Sequence, residues 1–172
     1  AAGWNNTDVT VTFVCTDNPS GVASQSGPTL VTTNGSNQSV TGSCTDSAGN
    51  TASLVVSGIN IDKTAPVLTA SRAPVPNAAG WNNTDVTVTF VCTDNLSGVA
   101  SYSGPASVTT EGTNQSVSGS CTDVAGNSAF LSVGGINIDK TVPVASNVSV
   151  APNPVPVNGG VTLSGDLSDA GG

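Results

Sequence analysis

The chain contains a long internal repeat. Residues 1–66 align without a gap on residues 78–143, and these segments, named repeat 1 and repeat 2, differ at 13 of 66 positions. The offset of 77 residues exceeds the roughly 20 to 50 residues of solenoid units and suits one small β-sandwich per repeat. The sequence therefore predicts domains at 1–64, without a first strand, and 65–141, and the start of a third domain or a strand-donating tail at 142–172.

Apolar and hydroxyl side chains alternate along the first strand-like run of each repeat. This period of two is typical of a half-buried strand. Turn signals such as Asn34-Gly35 and Ala48-Gly49-Asn50 separate the runs, and no window has the period of a helix. Short strands between closely spaced turns predict an all-β sandwich or barrel. In repeat 1 the residues expected to face the core are Val9, Val11, Phe13 and Cys15.

The repeats are joined by a linker that recurs. Ile59–Pro66 is matched by Ile136–Pro143, and its proline fixes φ and stiffens the connection. Residues 66–77 can supply a first strand to repeat 2, whereas nothing before residue 1 does so for repeat 1, and a further strand is predicted at Val161–Leu167. Either the sequence is a window onto a longer array, or identical chains complete one another by β-strand addition.

Four cysteines form two pairs with the same spacing, Cys15 with Cys44 and Cys92 with Cys121. Four cysteines allow three connectivities, but only pairing within each repeat leaves the repeats equivalent. Free thiols and a metal site are the alternatives, and the lack of His and of C-x-x-C spacing disfavours the metal. Two intradomain disulfides predict a secreted, extracellular or cell-surface protein.

The charge and composition exclude several functions. Only 8% of residues are charged, against about 25% in ordinary proteins, and three basic residues with a net charge of -8 exclude a phosphate-binding stripe. We therefore predict no nucleic-acid partner, and the lack of a long apolar run predicts no membrane insertion. Without His, the many Ser and Thr hydroxyls have no evident base to activate them, so we predict that the chain is not an enzyme.

Three motifs resemble those of bacterial immunoglobulin-like repeats. They are Gly80–Phe90, Cys121–Asn127 and Ile138–Pro143. The resemblance implies tandem immunoglobulin-like β-sandwich domains, although the short stretch between the cysteines implies fewer strands. It also implies a role in stalks, fibres or filaments of adhesins and other cell-surface assemblies, or as a module attached to a secreted enzyme.

A cluster of acidic side chains is expected where the linker meets repeat 2. Asp94 and Asp123 each follow a cysteine by two residues, and an immunoglobulin-like topology would bring both carboxylates to the end that faces the preceding linker. Oxygen ligands suit Ca²⁺, so a structural calcium is one hypothesis. The favoured alternative is that each Asp caps its own turn. The predicted calcium set is Asp62, Asp94, Asn95, Asp123 and Asn127.

Two tryptophans leave a second function open. Trp4 and Trp81 each open a repeat, and an exposed Trp could stack on a sugar in an adhesive or carbohydrate-binding module. A Trp that covers the core at a domain end is favoured, because aromatic residues usually bury a large area in small domains. The expected partners are neighbouring domains of the same chain or identical chains, and the sequence specifies no glycan or host-surface ligand.

Overall fold

The computed structural model describes residues 3–151, 158 and 162–168, and its regular elements there are all β-strands. No helix long and apolar enough to span a membrane occurs in these ranges. The expectation of an all-β protein is therefore confirmed. The strands are β1 (Val9–Val11), β2 (Val22–Gln25), β3 (Thr29–Val31), β4 (Gly35–Asp46), β5 (Thr51–Ile61), β6 (Val67–Ala73), β7 (Val86–Thr93), β8 (Val99–Tyr102), β9 (Ala106–Val108), β10 (Gly112–Asp123), β11 (Ser128–Ile138), β12 (Val144–Ala151) and β13 (Thr162–Ser168).

The strands form five small sheets. Repeat 1 has the sheets β1-β3 and β2-β4-β5, while repeat 2 has β8-β10-β11 and, together with the preceding strand, β6-β7-β9. Strands β12 and β13 pair with each other, in the region where Val161–Leu167 was predicted as a strand; Val161 itself lies outside the described residues. Corresponding strands therefore pair in the same order in both repeats, and β6 is the one addition.

The same eight-residue sequence forms strands of different length in the two repeats. Val-Thr-Val-Thr-Phe-Val-Cys-Thr is a complete strand in β7, but only its first three residues are a strand in β1. Strand β7 has a neighbour on both edges, whereas within residues 3–151 β1 pairs only with β3. Because the sequences are identical, the neighbouring strand and not local propensity sets the strand length.

The predicted inward face is buried where β6 is present. In β7 the side chains of Val86 and Val88 are fully buried and Phe90 is 3% exposed, whereas Val91 on the opposite face is 52% exposed. This confirms the predicted alternation. Repeat 1 has a smaller core, in which Val11, Ile59 and Ile61 are buried and are packed against Val9, Phe13, Val31, Val40 and Val56.

Each repeat contains one disulfide, as predicted. Cys15 is bonded to Cys44 and Cys92 to Cys121, with Cα–Cα distances of 6.2 and 6.1 Å and a sequence separation of 29 residues in both. Closing a loop of this length stabilises a fold by about 3 to 4 kcal/mol in the chain-entropy model. Two such bonds in a small β-protein indicate an oxidising environment.

The internal contacts divide the chain into two compact units. The first is Ala1–Thr69 with Phe90–Gly104 and Gly119–Leu131. The second is Ala70–Thr89 with Pro105–Ser118 and Ser132–Gly172. The first unit thus contains repeat 1, the linker and the turns of repeat 2 that contact the linker. The domain limits at 64/65 and 141/142 remain predictions.

We predict that Gly119→Ala destabilises the protein by about 1 to 3 kcal/mol, the usual cost of overpacking. A Cβ at this position would lie 2.6 Å from the ring of Phe90, which is itself buried. Gly104→Ala is the matched control, because a Cβ there meets nothing within 4 Å. Urea unfolding of both variants gives the comparison, and equal midpoints would contradict this account of the core.

Candidate metal centre

Asp62 follows the last strand of repeat 1 and is fully buried. Its Oδ1 accepts a hydrogen bond from the amide of Thr64 at 3.0 Å, and its Oδ2 accepts one from the amide of Ser97 at 3.0 Å. The first bond shapes the linker, and the second joins the linker to a turn of repeat 2. All of these residues belong to the first compact unit.

Two aspartates of repeat 2 cap the turns that contact the linker. Asp94 Oδ2 accepts hydrogen bonds from the amides of Leu96 at 3.1 Å and Gly98 at 2.7 Å. Asp123 Oδ1 accepts hydrogen bonds from the amides of Gly126 at 2.7 Å and Asn127 at 2.8 Å. These are the turn-capping bonds expected of Asp in such sequences.

The side chain of Asn127 closes the site on the linker side. Its Nδ2 donates to the main-chain oxygens of Asp62 at 2.8 Å and Thr64 at 3.2 Å, and to Asp123 Oδ2 at 2.7 Å. The amide nitrogen, rather than the amide oxygen, is therefore the group that Asn127 directs at these acceptors. Asn95 lies on the Asp94 turn and is exposed.

The three carboxylates form one compact group. Asp62, Asp94 and Asp123 each offer an oxygen, and these oxygens lie within 4.8 Å of one another. Asp62 and Asp123 are buried and Asp94 is half-buried. At an effective dielectric constant of about 20, two unit charges at this separation repel by roughly 3 kcal/mol, so the group favours a nearby positive charge.

The lysines of the described ranges pair with other carboxylates. Lys63 Nζ lies 2.6 Å from Asp8 Oδ1 and Lys140 Nζ lies 3.0 Å from Asp85 Oδ1. Neither of these ion pairs includes an aspartate of the cluster. The negative charge of the cluster is instead compensated by main-chain and side-chain N–H groups.

Hydrogen bonding keeps Asp62 ionised. Burial opposes its charged form, but the hydrogen bonds from Ser97 and Thr64 outweigh this effect and lower the pKa of the carboxyl. The stabilisation from a lowered carboxyl pKa is complete above the unfolded value of about 3.9 and is lost as the pH falls through the folded value. At neutral pH the site therefore holds a buried anion.

The donor set fits a calcium ion. Ca²⁺ binds six to eight oxygens, and carboxylates are its preferred ligands in proteins. Turn capping does not exclude this role, because a carboxylate offers about four lone-pair positions. The residues that would hold the ion are Asp62, Asp94 and Asp123, to which it would supply the missing positive charge.

Sequence reasoning found the three aspartates but not the main-chain groups that organise them. The amides of Thr64 and Ser97 hold the Asp62 carboxylate, and neither was predicted. The Asp-Asn-Leu-Ser-Gly sequence marks a turn, but it does not show that the amide of Ser97 points away from its own turn towards the linker.

Comparisons with protein-family models, with curated proteins and with solved structures return no match for this chain. The fold and the site define an all-β protein with two disulfides and a cluster of three aspartates, two of which are buried.

We predict that millimolar Ca²⁺ raises the thermal midpoint of the wild type relative to EDTA, and that Asp62→Asn removes this response. In EDTA the variant should be less stable than the wild type, because an Asn side chain has one acceptor oxygen and cannot accept from the amides of both Thr64 and Ser97. Asp46→Asn, at the corresponding end of repeat 1, is the control and should keep the response. Identical wild-type midpoints in Ca²⁺ and EDTA would dismiss the calcium hypothesis and leave turn capping as the role of the aspartates.

Proposed function

We propose that this chain is part of a structural, non-catalytic array in a bacterial cell-surface or extracellular protein, such as the stalk or fibre of an adhesin. In this proposal each repeat is an immunoglobulin-like β-sandwich with one internal disulfide, and its function is to hold other parts of an assembly apart. The proposal is supported by the resemblance of the motifs, the all-β fold and the disulfide of each repeat.

The observation that carries the proposal is the attachment of the linker to repeat 2. Ser97 donates to the Asp62 carboxylate, and Asn127 donates to the main-chain oxygens of Asp62 and Thr64. A spacer transmits position and force only if its joints resist bending, which flexible Gly- and Ser-rich linkers do not. This linker has Pro66 buried at its end and three specific hydrogen bonds along its length.

The two disulfides suit a protein that bears mechanical tension. A bond between Cys15 and Cys44, or between Cys92 and Cys121, prevents the chain between the two cysteines, which are 29 residues apart in sequence, from extending. Since the small cores contain few large side chains, the bonds also contribute stability that burial alone supplies poorly in small domains. The same bonds support an oxidising, extracellular location.

A groove beside Trp81 favours a second candidate, a carbohydrate-binding module. It has a volume of about 630 Å³ and lies in the second compact unit. In repeat 1, however, the residue corresponding to Asn83 is Asn6, whose Nδ2 lies 3.5 Å from a Cβ placed on Gly126 of repeat 2. Asn83 would contact another repeat in the same way as Asn6 does. The groove beside Trp81 is therefore better explained as a contact surface between repeats than as a glycan site. The groove is lined by Pro74, Val75, Pro76, Asn77, Trp81, Asn82, Asn83 and Asp139.

We predict that single-molecule stretching of the oxidised chain gives discrete unfolding steps, and that reduction lengthens each step by about 100 Å, the extended length of the released segment. The bonded cysteines are 29 residues apart in both repeats, so both steps should lengthen equally. The double variant Cys15→Ser/Cys44→Ser is the control, since it should lengthen only the step of repeat 1. Extension without resolvable force peaks would contradict the spacer function.

A further inference from the structure

Asn34 lies beside the linker and directly before Gly35, the first residue of β4. Its Oδ1 accepts a hydrogen bond from the amide of Lys63 at 3.1 Å, and its Nδ2 donates to Thr64 Oγ1 at 2.9 Å. Asn34 is exposed to solvent, and all of these groups belong to the first compact unit. The side-chain amide of Asn34 therefore holds the linker against its own repeat.

Repeat 2 has a carboxylate at the position where repeat 1 has this amide. Glu111 corresponds to Asn34, and its Oε1 accepts a hydrogen bond from the amide of Lys140 at 2.7 Å. The hydroxyl of Thr141 donates to the two carboxylate oxygens of Glu111, at 3.2 and 3.1 Å. The same position thus accommodates a negative charge in repeat 2, where the threonine hydroxyl acts as a donor.

An asparagine that precedes glycine is open to attack from its own chain. The main-chain nitrogen of the next residue reaches the side-chain carbonyl carbon by closing a succinimide ring, and a reaction within one molecule avoids the entropy cost of bringing two molecules together. Glycine has no Cβ to hinder the approach. Asn34-Gly35 has this sequence, whereas its counterpart in repeat 2 is Glu111-Gly112.

The two linker contacts of Asn34 favour this reaction. The amide of Lys63 donates to Oδ1, so it stabilises the negative charge that develops on this oxygen during attack at Cγ. The hydroxyl of Thr64 lies next to Nδ2, the nitrogen that leaves, and it supplies a hydrogen-bond donor once this nitrogen has a free lone pair. Because Asn34 is exposed, water has access to the ring that forms.

We propose that Asn34 is a site of spontaneous deamidation, which the linker contacts promote and whose aspartate product still holds the linker. The Gly35 nitrogen loses its proton to solvent and bonds to Cγ of Asn34. The Cγ–Nδ2 bond then breaks, and the side-chain nitrogen takes up a proton and leaves as ammonia. Water opens the succinimide at either of its carbonyls and gives aspartate or isoaspartate, so that water is the one co-reactant consumed.

The aspartate product keeps both contacts with the linker. Its carboxylate accepts from the amide of Lys63, and the hydroxyl of Thr64 turns to donate, as the hydroxyl of Thr141 does to Glu111 in repeat 2. The modification therefore adds one negative charge and makes this position of repeat 1 resemble that of repeat 2. The inference goes beyond the proposed function and does not depend on it, since the reaction involves Asn34 and its immediate neighbours.

Mass spectrometry of the whole oxidised chain, incubated at neutral pH and physiological temperature, tests the proposal. Deamidation replaces an amino group by a hydroxyl group, and fragment masses assign this change to Asn34 or to Asn158-Gly159, the other Asn-Gly pair of the sequence. We expect Asn34 in the folded chain to convert at least as fast as in a free peptide of residues 30–40. Asn37, which is exposed but followed by glutamine, should stay unconverted over the same time.

Two pairs of variants test the contacts and the product. Thr64→Val removes the hydroxyl beside Nδ2 and should slow the conversion of Asn34 roughly fivefold, the usual worth of one hydrogen bond. Thr141→Val, the matched change in the second linker, should leave this rate unchanged. Asn34→Asp represents the product and should keep the thermal midpoint of the wild type, whereas Asn34→Ala loses both linker contacts and should unfold at a lower temperature.

Three results would overturn the proposal. The first is an Asn34 that remains an amide in the folded chain after the free peptide has converted. The second is the same rate of conversion in Thr64→Val, Thr141→Val and the wild type. The third is an Asn34→Asp variant that is as unstable as Asn34→Ala. Intact disulfides and cooperative thermal unfolding establish that each variant is folded.

Discussion

The structure depends on a buried carboxylate with two main-chain donors. Asp62 is inaccessible to solvent, and isolated buried charges are strongly unfavourable. Its charge is tolerated because the amides of Thr64 and Ser97 point at its two oxygens. Since one amide belongs to the linker and the other to repeat 2, the same interaction that neutralises the cost of burial also fixes the connection between the repeats.

The two repeats show how far sequence alone specifies this fold. The alternation of Val and Thr predicted which face of β7 is buried, and the cysteine spacing predicted both disulfides. The extent of the strand could not be predicted, because the identical residues of Val9–Thr16 and Val86–Thr93 differ in structure. What differs is the neighbour: β7 lies between β6 and β9, whereas β1 pairs with β3.

The acidic residues of the site and the turn-capping bonds of Asp94 and Asp123 were predictable, whereas the hydrogen bonds to the linker were not. The position of Asp94 and Asp123 two residues after each cysteine brings their carboxylates together once the disulfide forms, and the linker adds Asp62. The roles of Ser97 and Asn127 depend on the direction of a main-chain N–H and on the rotation of an amide. These directions are set by the packing of the turn, and a sequence pattern does not encode them.

The most direct test compares two amides within one molecule. Ser97 and Ser20 occupy corresponding positions in the two repeats, but only Ser97 donates to a linker carboxylate, and Ser20 is exposed. In hydrogen exchange measured by NMR at dilute concentration, the Ser97 amide should exchange roughly 10- to 100-fold more slowly than that of Ser20, given the usual strength of a hydrogen bond to a charged group. Equal exchange of the two amides would show that the linker is not held by repeat 2, and would contradict the account.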